Sequence, residues 1–200
     1  LINWRSFIQI LNELKMTPLR VVLLIPAFFS AFMAQAQVNE QDSLAHQRIK
    51  LVQNNMYVLG AWASANIIQG TISASNTQGS EKAFHQMNAY WNTVNFAIAG
   101  VGLLGIRKQM KRAYGLASNL KEQQKLEKIL LVNSGLDLAY IATGLYLKEK
   151  GIRLNNTRNE GFGNSLLLQG AFLLVFDLIQ YGQHRKNTKW LENKMDHLQM

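Results

Sequence analysis

Apolar residues gather along this chain in four stretches, 56–75, 87–106, 129–147 and 166–182, each set inside a longer segment with no proline. Both prolines, Pro18 and Pro26, lie upstream, so nothing after residue 26 forbids a helix interior. The pattern predicts helices over about 40–74, 81–113, 119–150 and 164–191. Turn formers separate them: Ser75-Asn76-Thr77-Gln78-Gly79-Ser80, then Tyr114-Gly115, then a loop over 154–163 rich in Asn and Gly. Asn119 with Glu122 reads as a capping box opening the third helix. Rods of roughly 30 residues, about 45 Å long, exceed the usual helix of a small soluble domain. Short joints favour antiparallel neighbours, so the expected fold is all-α, an antiparallel up-down four-helix bundle.

Each apolar stretch approaches the roughly 20 residues that cross a hydrocarbon core. The fourth, Leu166-Leu167-Leu168-Gln169-Gly170-Ala171-Phe172-Leu173-Leu174-Val175-Phe176-Asp177, is apolar on all faces, which favours a transmembrane bundle. Mean hydropathy of −0.06 is low for four spans, and a soluble periplasmic bundle acting as a binding or interaction module is the alternative. A third reading is an oligomeric ion or small-solute channel or carrier subunit.

The beginning of the chain reads differently. Met16-Thr17-Pro18-Leu19-Arg20 is followed by an apolar core over 21–33 and by Ala34-Gln35-Ala36, small residues at the positions a signal peptidase recognises. Residues 1–15 are therefore expected to be an upstream extension, 16–36 a signal peptide and 37–200 the bundle domain, exported to the bacterial inner membrane or cell envelope.

The formal net charge is +9, and without the leader the chain stays strongly basic. An exported protein meets lipid rather than nucleic acid, so the bilayer is the expected partner, with anionic lipids at the basic end and a homo-oligomer as a further prospect. Folding the rods back gathers Arg48, Lys50, Arg107, Lys108, Lys111, Arg112, Lys121, Lys125, Lys128, Arg185, Lys186 and Lys189 at one end. The positive-inside rule assigns that end to the cytoplasm, whereas the leader would deliver it outside. The two expectations conflict. The absence of cysteine excludes disulfides, thiolate metal sites and Cys nucleophiles.

Polar residues interrupt the apolar stretches and form the candidate site: Asn66, Asn88, Asn92, Asn95, Asn133, Asp137, Gln169 and Asp177, with Gln69 nearby. Asn88, Asn92 and Asn95 are spaced four and three apart and share one helix face, as do Asn133 and Asp137. Folding the hairpins puts Asp137 near Asn95 and Asp177 near Asn133. Such a seam is either interhelical glue or, through the two carboxylates, an ion, proton or polar-solute site. Gly60, Ala61, Ser64, Ala65, Gly100, Gly102, Gly135, Ala139 and Gly144 are small enough to let helices approach.

Other chemistry is sparse. His46 and His184 come to similar depth and form a weak metal-binding pair; otherwise they read as surface residues, and His85 as a solvated or capping one. Gly100, Gly102 and Gly105 fit G-x-G-x-x-G, but no strand precedes them and no acidic residue follows about 20 positions on. No catalytic template is recognisable, so a non-enzymatic role without cofactors is expected.

Three motifs carry a resemblance: Gln169-Gly170-Ala171-Phe172-Leu173-Leu174-Val175-Phe176-Asp177, Leu59-Gly60-Ala61-Trp62-Ala63 and His85-Gln86-Met87-Asn88. Together they resemble an uncharacterised family of small helical envelope or membrane proteins of Bacteroidota, and the Ala34-Gln35-Ala36-Gln37 leader end is similar to leaders of that group. The resemblance implies a helical fold and an envelope location, and no activity.

Overall fold

A computed structural model describes the backbone of residues 18–199 and the side chains of residues 43–196. Every element is a helix: α1 Pro18–Asn76, α2 Gly79–Gln109, α3 Leu116–Arg153 and α4 Thr157–Gln199, and among the described residues there is no strand. The chain divides into two compact units, Leu1–Ser43 and Leu44–Met200. The backbone of 18–43 is helical, and the packing described below is that of the second unit. The expected extension over 1–15 lies outside the described residues, and the side chains of the expected leader over 16–36 do as well.

The joints are tighter than the sequence suggests. At the end of α1, Ser75 Oγ and Asn76 Nδ2 both donate to the Ile72 carbonyl, and Thr77 Oγ1 donates to the Ser73 carbonyl. These side chains add donors to the carbonyls of the closing turns, where helical bonding runs out. Gly79 follows at φ +60, a backbone region where a Cβ is strained. α3 starts after Gly115 with no side-chain cap, which overturns the capping box: Asn119 is already helical, and its side chain is engaged elsewhere.

The largest correction concerns 154–163. Only Leu154, Asn155 and Asn156 lie between helices. Asn155 takes a φ of 51, which Asn tolerates better than most residues, and Asn156 Oδ1 accepts the backbone N–H of Asn159 at 3.0 Å, capping α4. The glycines that suggested a loop are contact points between helices. A Cβ on Gly161 would collide with the Ser80 carbonyl, and one on Gly163 with the Lys148 amide. One on Gly144 would sit 2.9 Å from both the Gly163 carbonyl and the Leu167 amide. Small residues here bring backbone against backbone. By contrast Gly100 and Gly135, expected to serve the same purpose, face open space, and Gly102 meets only the flexible Met56 side chain.

α4 holds the arrangement together by packing along both α2 and α3. Residues rising along α3 meet residues falling along α4, from Gln123 with His184 to Gly144 with Gly163. A small apolar cluster of Ala45, Ile49, Ile106 and Tyr114, flanked by Val52, Met56, Leu103 and Met110, joins the described start of α1 to the end of α2.

Elsewhere the usual distribution of polarity is reversed. The buried side chains include Asn88, Asn92, Asn95, Asn119, Gln123, Gln169, Asp137 and Asp177. The outer faces carry Tyr90, Val94, Ile98, Val101 and Leu104 on α2, Val132, Leu136, Leu138 and Leu145 on α3, and Val175, Leu178 and Ile179 on α4, with Val101 71 % exposed. Three helices, α2, α3 and α4, are long and apolar enough to cross a membrane. The described part of α1, residues 43–76, is not among them: there Gly60-Ala61-Trp62-Ala63-Ser64-Ala65-Asn66 dilutes the apolar content with small and amide residues.

The glycine contacts give a testable contrast. Gly144→Ala should lower the thermal midpoint by an amount corresponding to about 1–3 kcal/mol, the usual cost of overpacking. Gly135→Ala, with no neighbour within 4 Å, should be neutral or stabilising by up to about 1 kcal/mol through helix propensity. Circular dichroism melts of the two variants check this.

Candidate functional site

The seam begins as a closed circuit of hydrogen bonds. Trp62 Nε1 donates to Gln169 Oε1 at 3.0 Å, and Gln169 Nε2 donates to Asn88 Oδ1 at 2.6 Å. Asn88 Nδ2 donates to Asn66 Oδ1 at 2.8 Å, and Asn66 Nδ2 returns to the carbonyl of Trp62 at 2.9 Å. Three helices contribute, and each amide uses both its donor and its acceptor. Ser165 Oγ adds a further bond to Asn88 Oδ1 at 3.2 Å. The circuit is dry: Asn88 is 1 % and Gln169 0 % exposed. Phe172 stacks on Trp62 with ring centroids 3.8 Å apart and fixes the indole that opens the circuit.

Asn92 and Asn95 extend the seam along α2. Asn92 Nδ2 donates to the Asn88 carbonyl at 2.9 Å, and Asn95 Nδ2 to Asn92 Oδ1 at 3.3 Å. Beyond Asn95 the character changes from amide to acid. Asp137 and Asp177 line one cavity of about 470 Å³ together with Asn95, Asn133 and Gln180. Asp177 accepts hydrogen bonds from Asn133 and, at 3.4 Å, from Gln180 Nε2. Asp137 Oδ2 is buried with no partner.

A third polar cluster sits toward the basic end. Gln123 Nε2 donates both to the His184 carbonyl at 2.7 Å and to His184 Nδ1 at 2.8 Å. Because that amide nitrogen only donates, Nδ1 must accept, and the His184 ring is neutral with its proton on Nε2. Burial, aided by the Arg48 charge, lowers the pKa of His184, which lies beyond the apolar stretch ending at Gly182, to about 4. Arg48 is 3 % exposed, donates from Nε to Asn119 Oδ1 at 2.8 Å and lies over the Tyr114 ring. Glu127 accepts from Thr188 Oγ1 and pairs with Arg185 at 3.5 Å.

Seven of the eight seam residues are thus buried, and Asn133 is half-buried. They form an amide circuit with its α2 extension and, separately, an acidic cavity. Asp137 shares that cavity with Asn95, and Asp177 bonds Asn133, as the hairpin geometry predicted.

The histidines correct the surface reading. His184 is fully buried on Gln123, and His85 is buried with Nδ1 3.3 Å from Gln69 Nε2. His184 engages α3, and its Nδ1 is occupied. Among the described residues no group of three or more His, Cys, Asp or Glu side chains could hold a metal ion.

Sequence reasoning missed Trp62, Ser165, Gln123, Thr188 and the burial of Arg48. A signal existed for most of them. Trp62 precedes Asn66 by four, Ser165 precedes Gln169 by four, and the pairs Gln123/Glu127 and His184/Thr188 have the same spacing on facing helices.

A family model described as a family of unknown function, DUF6992, matches residues 58–178. The chain belongs to the DUF6992 family. Neither a curated protein nor a solved structure matches it. The matched DUF6992 region contains every residue of the amide circuit and both aspartates of the cavity, whereas Arg48, His184 and Thr188 fall outside it.

Two outcomes test these assignments. Asn88→Leu removes the shared acceptor of Gln169 and Ser165 and the donor to Asn66, and should cost about 1–3 kcal/mol for each buried group left unpaired. Asn92→Leu, which strands fewer partners, should cost less in the same melts. For His184, the folded pKa lies below the unfolded one, so the unfolded chain binds more protons between pH 6.5 and about 4. Its contribution is fully present above that window and is lost as pH falls through it. The stability difference between wild type and His184→Gln should therefore change across this window and be constant above it, measured as thermal midpoint against pH.

Proposed function

We propose that this DUF6992 protein is a non-enzymatic integral protein of the bacterial inner membrane, an up-down four-helix bundle that follows a signal peptide and uses its amide seam as interhelical glue. The observation that carries this reading is the reversed polarity. Large apolar side chains cover the middle of the rods outside, and amides fill the middle inside. A soluble bundle would hold that apolar belt against water, far beyond the patches that monomeric soluble proteins expose. In lipid the same belt is solvated, and polar groups must turn inward and pair with one another, as those of the amide circuit do here. The described part of α1 takes its place through Trp62, Asn66 and Gly60.

The bilayer is then the principal partner, with anionic head groups at the basic end. Support for the second part comes from Arg48, whose Nη2 is buried without a partner in a pocket shared with Lys186 and Asn187. An exported protein of this kind meets phospholipid phosphates at that depth.

Alkaline carbonate should leave the protein in the membrane pellet; release by carbonate alone would overturn the reading. A substitution separates the alternatives further. Leu138, 56 % exposed at the middle of its apolar stretch, would face lipid. Leu138→Lys should then impair insertion by about 2.5–3.5 kcal/mol, whereas on a soluble bundle it would change stability by no more than about 0.5 kcal/mol. Membrane yield and thermal midpoint read the difference.

A further inference from the structure

The amide circuit satisfies itself, but the cavity beside it does not. Two polar atoms of its lining side chains are buried without partners: Oδ2 of Asp137, a residue 3 % exposed, and the indole Nε1 of Trp91. They belong to one neighbourhood. Tyr140 lies one turn after Asp137 on α3, and Trp91 packs edge-on against it with centroids 4.7 Å apart. A carboxylate oxygen calls for a donor and an indole N–H for an acceptor, and leaving either unmet in a dry interior is costly.

The walls decide what kind of group fits. Met56, Leu59, Leu130 and Leu173 are apolar, and Trp91, Tyr140 and Phe176 add aromatic faces that attract a cation. The acidic groups of the lining are Asp137 and Asp177, and His184 is neutral, so the site favours a positively charged ligand. A bare divalent ion would require six or more oxygen ligands, and no metal-binding group of acidic or imidazole side chains converges there among the described residues. A volume of about 470 Å³ lies within the range of organic-ligand pockets.

The rim indicates the route. Val94 and Ile98 on α2 and Ile129 and Leu136 on α3 line the cavity and are each roughly half exposed, so it opens through the apolar belt. α4 packs on α2 and on α3, while α2 and α3 meet through side chains such as Trp91 and Tyr140 rather than backbone to backbone.

We propose that this cavity binds a single-chain amphiphilic amine that enters sideways from the bilayer between α2 and α3. The protonated nitrogen sits on Asp137 beside Asp177, an adjacent hydroxyl or carbonyl oxygen accepts from Trp91 Nε1, and the aliphatic chain leaves over Val94, Ile98, Ile129 and Leu136. Because Asp177 is already bonded by Asn133 and Gln180, Asp137 is the principal anchor. The inference rests on the membrane reading.

The test uses the full chain, washed with carbonate in its native membrane and then reconstituted in phosphatidylcholine nanodiscs at neutral pH. Dodecylamine should raise the thermal midpoint saturably, dodecanol should not, and dodecyltrimethylammonium, which lacks an N–H donor, should bind about tenfold more weakly or worse. Asp137→Asn, which preserves shape, should weaken dodecylamine by about tenfold or more, the equivalent of one charge-assisted hydrogen bond. Leu136→Trp, at an exposed rim position, should weaken binding without altering the ligand-free midpoint. Equal response to dodecanol, unchanged binding by Asp137→Asn, or methylamine competing as well as dodecylamine would each overturn the proposal. Release by carbonate overturns the membrane reading itself, whereas retention with no amine-dependent shift removes the amine site alone.

Discussion

The centre of this bundle depends on the requirement that the buried amides of Asn66, Asn88 and Gln169 each find a partner for both oxygen and nitrogen. The interior of the rods offers Trp62, Asn66, Asn88 and Gln169 little besides one another, and they meet the requirement with a circuit that leaves the Trp62 indole and returns to the Trp62 carbonyl. Such a circuit works only in one register. Sliding α4 along α2 by a turn would separate Gln169 from Asn88 and strand several buried groups together, a cost each broken bond multiplies. An apolar core of leucines would pack almost as well one turn away; amides do not.

Close approach makes that specificity attainable. Gly144, Gly161 and Gly163 bring α4 against α3 and α2 until backbone meets backbone, and only at that separation do side chains as short as Asn span the gap. The Gln123–His184 and Glu127–Thr188 rungs continue the α3–α4 interface toward the basic end. Glycine contacts and polar rungs therefore act on one interface: the first set the distance, the second the register. The 58–178 region shared with the DUF6992 family holds the circuit and both aspartates of the cavity. The basic-end cluster draws on residues from both sides of its limits.

The two aspartates stand apart from this logic. In the amide circuit donors and acceptors balance, as glue demands. Around the cavity they do not, because Asp137 and Trp91 each hold an unmatched atom against apolar walls. Interiors that serve structure alone seldom retain a buried carboxylate in this condition. The contrast between a balanced and an unbalanced half of one seam separates scaffold from site.

The sequence by itself determined that the chain is helical, because apolar periodicity without proline leaves few alternatives, and it marked all eight seam residues, because amides and carboxylates are conspicuous within apolar stretches. It also put Asp177 near the depth of Asn133 through hairpin counting alone. It misjudged Gly161 and Gly163 as loop, His184 and His85 as surface, and Asn119 as a cap, since glycine, histidine and asparagine each suit two environments and only their neighbours select between them. Tertiary structure decided which of the seam residues close on one another and which are left unmatched. That is a question of helix phase and separation, which a difference of one residue or one methyl group changes and which no local pattern records.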